Sequence, residues 1–339
     1  MKAIVLENPG KFKLIEVDTP TPPHSNEVLL KVERVSICGT DLHAYKGNQP
    51  FFSYPRILGH EIAARVIEVG SQVSHLQVGD YCTVEPYRNR IIDQAVRRGK
   101  TNCGKQMSVL GVHEDGAMCE YFTYNAALVH PVEGLALDQI SIVEPLSIAC
   151  HAIERADIKE DDTILIIGAG PIGYGIAAIA RLLGVKIALL EVSETRAAII
   201  RRNFPEITVI LRTDHIEKDL VSVFDGELPT IVLDATGNRK SMERTFDLTA
   251  AGGTIVFIGL FIGQVSFDDP TFHRKELTLK ASRNARKKDF QKVIELLKSN
   301  ALPLEGYISH HISFDSLITE FDKLYDMDQN VMKAIVTFD

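Results

Sequence analysis

The stretch from Thr163 to Gly173 constrains the fold more than any other part of the chain. Thr163-Ile164-Leu165-Ile166-Ile167 is a continuous apolar run, the mark of a strand buried on both faces of a parallel sheet. Gly168-Ala169-Gly170-Pro171-Ile172-Gly173 follows directly, and residues 172–183 then carry helical spacing. A G-x-G-x-x-G is weak evidence alone; between a buried strand and a helix it predicts a dinucleotide turn. Gly168 permits the tight turn, Gly170 lets the backbone approach a pyrophosphate, and Gly173 lets helix and strand pack closely. The helix start at Pro171 and Ile172 offers free N–H groups and a partial positive charge to phosphates.

The alternation continues. Residues 185–190, 230–234, 253–258 and 277–281 read as further strands with helical stretches between them. Such alternation predicts an α/β domain with a doubly wound parallel sheet and right-handed crossovers. Glu191 ends the strand after the turn, 18 residues past Gly173. A carboxylate there accepts hydrogen bonds from both ribose hydroxyls and repels a 2′-phosphate, so NAD is expected over NADP. Arg196 lies close enough in sequence to offset part of that repulsion. Thr236, Gly237, Gly259, Leu260 and Phe261 follow later strands and are expected to line the carboxyl edge where a dinucleotide lies.

Residues 1–145 read differently. Stretches 14–17, 27–35, 63–69 and 81–84 are short, rich in branched aliphatics, and broken by Gly, Pro and Asp. Pro20, Pro22 and Pro23 exclude a central strand between the first two. A small β-rich domain is expected. A helix opens at Glu144-Pro145-Leu146 and runs to Ala156; residues 289–297 form an amphipathic helix, and 332–338 a strand that returns to the first domain. The expected division is 1–146, 147–285 and 286–339.

The length, 339 residues, suits two domains. A net charge of −8 argues against a nucleic-acid surface. Five cysteines, an odd number scattered through a large chain, argue against a disulfide scaffold and for a reducing, cytoplasmic setting. Glu7-Asn8-Pro9 ends the first apolar run too soon for a signal peptide, and no apolar run approaches the roughly 18 residues of a membrane span.

Three further segments carry metal-ligating side chains: Cys38-Gly39-Thr40-Asp41, expected in a loop after a strand, Gly59-His60-Glu61, and Glu144-Pro145. Cys, His and Glu are competent zinc ligands, and three of them plus an open position make a catalytic site. Taken singly, Cys38 reads as a buried small side chain, His60 as a core histidine and Glu144 as a charge at a helix start. Their combination with the dinucleotide turn is what favours a metal.

Together with Val78-Gly79-Asp80 and Asp115-Gly116-Ala117-Met118-Cys119-Glu120-Tyr121, these motifs span nearly the whole chain. It resembles the zinc-dependent alcohol dehydrogenases of the medium-chain dehydrogenase/reductase family. The resemblance implies a GroES-like catalytic domain, interrupted by a Rossmann domain that binds NAD. It implies one catalytic zinc held by Cys38, His60 and Glu144, with Glu61 beside it as a neighbour or exchangeable ligand. Thr40 and His43 match the positions where relatives move the alcohol proton outward. A homodimer or homotetramer acting on a small molecule, without membrane or nucleic acid, is implied as well.

Residues 47–56, Ser108 to His113, Gly259 to Gly263 and Ser282-Arg283-Asn284 resemble the polyol and sugar-acid branch. That implies oxidation of a sugar-acid secondary alcohol, L-galactonate to D-tagaturonate, with Arg283 or Arg56 gripping the carboxylate. Sorbitol and L-threonine are the alternatives within the class. A zinc-free quinone reductase or a non-catalytic cofactor-binding relative is the alternative outside it, and keeping Cys38, His60 and Glu144 together argues against both. One departure stands out. Relatives carry a lobe with four zinc-binding cysteines, and the matching positions here are Arg90, Asp93, Val96 and Gly104; Cys103 lies one residue off. The lobe is therefore expected to bind no metal.

Overall fold

A computed structural model describes residues 1–49, 52–211, 214–325 and 331–338. Pro50 and Phe51, part of the segment 47–56 used above, lie outside the described residues. The chain forms two compact units: Met1–Glu144 with Ala285–Ala301 and Ile308–Asp339, and Pro145–Asn284 with Leu302–Tyr307. The short piece Leu302–Tyr307, assigned above to the returning segment, clusters with the second unit.

In the second unit six parallel strands run in the order Thr208–Ile210, Lys186–Leu190, Thr163–Ile167, Ile231–Asp234, Thr254–Phe257 and Thr278–Ala281. Numbered along this unit the order is 3-2-1-4-5-6, the doubly wound arrangement of a Rossmann fold. Thr163 faces Lys186 on one side of the central strand, and Ile164 faces Ile231 on the other. The apolar runs of the central strands are buried while the edge strand Thr278–Ala281 is mostly exposed; Leu165, Val232, Leu220, Phe224 and Leu248 share one core. The helix after the turn, Pro171–Ala180, begins with proline in its first position and passes into a 3-10 turn, Arg181–Leu183, closed by Gly184 at φ +74.

In the first unit Glu27–Ser36 is the hub of a seven-stranded sheet. It pairs with Glu61–Val69 along one edge, and with Tyr121–Asn125 and Ala334–Thr337 along the other. The C-terminal strand thus returns to this unit. The core holds Leu30, Val32, Ile62, Val66, Val84, Met118 and Val336, all buried. This unit is less purely β than its sequence suggests. Cys38 caps a helix, Gly39–Tyr45, so Thr40, Asp41 and His43 are helical rather than in a loop. The alternation signal fails on a helix of seven residues, which is too short to show a period.

Candidate active site

Sheet register gathers the first group of side chains. Ser36 ends its strand opposite Glu61 on one side and Ile335 on the other, which brings Lys333 in just before the last strand. Cys38 and its helix follow at once. Ligand atoms of Cys38, His60 and Glu61 lie within 4.8 Å of one another, His60 and Glu61 buried and Cys38 partly so. Asp41 ties the group together: one oxygen accepts the Cys38 N–H at 2.9 Å, and the other lies 3.7 Å from His60 Nδ1. Glu144 sits in the first turn of Val143–Ala156, where a carboxylate suits the helix dipole. Its Oε1 accepts the hydroxyl of Tyr87. Its Oε2 is buried with no hydrogen-bond partner.

The two glutamates differ in what holds them. Lys333 Nζ donates to both oxygens of Glu61, at 2.9 and 2.8 Å, and the Ser36 hydroxyl donates to Oε2. Lys333 and Glu61 are both buried, so each charge depends on the other. Glu144 has no such cation. Burial pushes its carboxyl up to about 7, against the pull of His60. Burial likewise raises the Asp41 carboxyl. At His60 burial opposes the charged form, but Asp41, Cys38 and Glu144 outweigh it and hold the imidazole well above its usual range.

A partly buried sulfur, a buried imidazole and an unpartnered buried carboxylate oxygen are the donor set of a divalent zinc site, so these residues fit the expected metal. Thr40 is half-buried, and His43, three residues on along the same helix face, is exposed. Sequence reasoning gave no role to Asp41, Lys333, Ser36 or Tyr87. Lys333 left a signal, a cation heading the apolar run Ala334-Ile335-Val336, and Asp41 lies three residues past the helix cap Cys38, where its carboxylate takes the Cys38 N–H.

In the second unit the turn is built as expected of a phosphate cradle. Gly168 has φ +93, and a Cβ on Gly173 would meet the Gly168 carbonyl oxygen at 1.8 Å. A Cβ on Gly170 would enter space whose nearest atom is an Arg196 guanidinium nitrogen at 3.9 Å. The donors of Ala169, Val192 and Ser193 converge on the Glu191 carboxylate at 2.6–2.8 Å. Glu191 therefore stitches the turn to the end of the next strand. Gly237 and Gly259 approach each other closely: a Cβ on Gly259 would lie 2.1 Å from the Gly237 nitrogen. Thr236 is bonded to Asp234, while Leu260 stands 71% exposed at the sheet edge, beside partly buried Phe261.

Of the two arginines named for a substrate carboxylate, Arg56 is occupied by Asp115 at 3.3 Å and Ser53 at 2.9 Å; Arg283 is exposed. The lobe is held by hydrogen bonds. Asp93 accepts from the backbone of Val96 and Lys105 at 2.9 and 2.6 Å, which hold its carboxyl below the usual range. Asn89 donates to the Thr101 carbonyl at 2.8 Å, and Glu114 joins Arg88 to Ser108.

Two family models match: an alcohol dehydrogenase GroES-like domain over residues 24–134, and a zinc-binding dehydrogenase domain over 171–299. The L-galactonate-5-dehydrogenase of Escherichia coli K12 is 36% identical, across 100% of this chain and 99% of that protein. Sheep sorbitol dehydrogenase is 27% identical over 94% of this chain and 92% of its own. The alcohol dehydrogenase RspB of Escherichia coli CFT073, solved in complex with NADH, superposes with a TM-score of 0.92 at 28% identity, covering 100% and 99% of the two chains. Among the described residues no helix is long and apolar enough to cross a membrane. The chain belongs to the zinc-dependent alcohol dehydrogenase family, within its polyol and sugar-acid dehydrogenases.

Proposed function

We propose that this chain oxidises a sugar-acid secondary alcohol with NAD, L-galactonate to D-tagaturonate, at one zinc ion held by Cys38, His60 and Glu144. The observation that carries the reading is the unpartnered, buried Oε2 of Glu144, a carboxylate close enough to act electrostatically on His60, which clusters with Cys38. Glu61 is the weaker choice as third ligand, because Lys333 and Ser36 already engage its oxygens. Bound there, zinc supplies a Lewis acid that lowers the pKa of the substrate alcohol, and NAD supplies the hydride acceptor.

The chain's own residues do the rest. Thr40 Oγ1 takes the alcohol proton and exposed His43 passes it to solvent through its ring nitrogens. Lys333 neutralises Glu61, so the metal pocket carries less negative charge than its carboxylates suggest. Gly168, Gly170 and Gly173 admit the pyrophosphate, with Pro171 and Ile172 starting the helix whose free N–H groups face it. Glu191 has lone-pair capacity beyond its three backbone donors for a ribose hydroxyl, and Arg196 lies over the turn. Thr236, Gly237, Gly259, Leu260 and Phe261 border the same crevice. Arg283, exposed, is the other candidate for the carboxylate. The chain acts as a homodimer or homotetramer, which sedimentation tests.

Initial rates of NADH formation with L-galactonate, sorbitol and L-threonine at equal concentration test the substrate. Preference for L-galactonate, lost in Arg283→Ala, supports the proposal. Preference for sorbitol or threonine overturns the sugar-acid reading.

A further inference from the structure

The lobe has no part in that chemistry, yet its first strand reaches the metal residues. Tyr87 opens the strand Tyr87–Asn89, paired with Met107–Val109, and its ring meets Phe290 edge-on at 6.4 Å. A buried tyrosine needs an acceptor for its hydroxyl. For three other tyrosines that acceptor is a backbone carbonyl: Ala44 for Tyr54, Glu85 for Tyr124, Pro303 for Tyr174. Tyr87 instead donates to a buried carboxylate oxygen, Oε1 of Glu144, whose other oxygen is left unpartnered.

We infer that Tyr87 is a positioning residue for the metal: its hydroxyl occupies one oxygen of Glu144, fixes the carboxylate plane, and leaves Oε2 as the single ligating oxygen. The inference rests on Glu144 being a metal ligand. It gives the lobe that lacks the four cysteines a task. The links through Asn89, Asp93 and Glu114 hold the strand that delivers Tyr87, and a carboxylate with one oxygen fixed coordinates through the other at lower entropic cost.

The test measures zinc affinity by chelator competition, together with the visible spectrum of the cobalt-substituted protein. Wild type, Tyr87→Phe, Glu144→Ala and the double variant are compared. Phenylalanine keeps the ring contact with Phe290, and an unfolding curve checks that each variant folds. Tyr87→Phe should weaken zinc about 10- to 100-fold and shift the cobalt bands. In the Glu144→Ala background the same change should alter zinc affinity less than about twofold. Wild-type affinity and spectrum in Tyr87→Phe would overturn the inference and leave the metal reading standing. An equal loss in the Glu144→Ala background overturns it too, since ring packing would then be the cause. A wild-type protein that holds no zinc overturns both.

Discussion

The cluster around Cys38 and the turn around Gly168 keep their chemistry in different parts of the chain. The first is made of side chains from five separated points: strand register gathers Cys38, His60–Glu61 and Lys333, while a helix start supplies Glu144 and a separate short strand Tyr87. The second is made of backbone from six consecutive residues whose value lies in the side chains they lack. Buried charges need named partners, so the first site depends on individual atoms. The turn depends on space and φ, so it fails when volume is added.

Cys38→Ser should separate the two most sharply. Turnover should fall about a thousandfold, roughly 4 kcal/mol in the barrier. NAD affinity measured by calorimetry should stay within about twofold, and a parallel loss would break the comparison. Lys333→Met should come next, since it leaves Glu61 buried without its cation. Denaturant unfolding should show a loss of about 3–5 kcal/mol, most of it recovered by Lys333→Met/Glu61→Met. No recovery in the double variant would mean that lysine packing, not charge, carries the effect.

Gly173→Ala drives a methyl group against the Gly168 carbonyl. A stability loss of about 1–3 kcal/mol is expected, with weaker NAD binding and unchanged zinc content. Glu191→Ala removes an acceptor shared by three backbone donors and, on the proposed reading, the ribose. Titration should show NAD affinity falling about tenfold, near 1.4 kcal/mol, with NADP affected less. Cys103→Ser is the smallest change: exposed and away from the cluster, it should leave zinc content and rate within about twofold of wild type.

The same contrast explains what the sequence disclosed. The doubly wound unit was legible because its information is local: a buried strand, a glycine turn and an acidic residue at fixed spacing. Five of its strands fell within a residue or two of the observed bounds; the sixth, Thr208–Ile210, was missed because three residues carry too little pattern. In the first unit the helix Gly39–Tyr45 was missed because seven residues give no period. Cys38, His60 and Glu144 were named for their ligand chemistry beside the dinucleotide turn and then through a resemblance, since spacing alone does not show that residues 106 apart converge. Tyr87, and Lys333 apart from its place at the head of an apolar run, were hidden for a further reason. Their roles arise from the register of strands far apart in the chain, which no local pattern encodes. The lobe is intermediate: the four positions lack the cysteines of a zinc site, but do not reveal that Asp93 accepts from the backbone of Val96 and Lys105.

The most direct test is elemental zinc analysis of the purified wild type beside Cys38→Ser. The account predicts one zinc ion per wild-type chain and almost none in the variant. Two per chain, none at all, or full zinc in Cys38→Ser would contradict it.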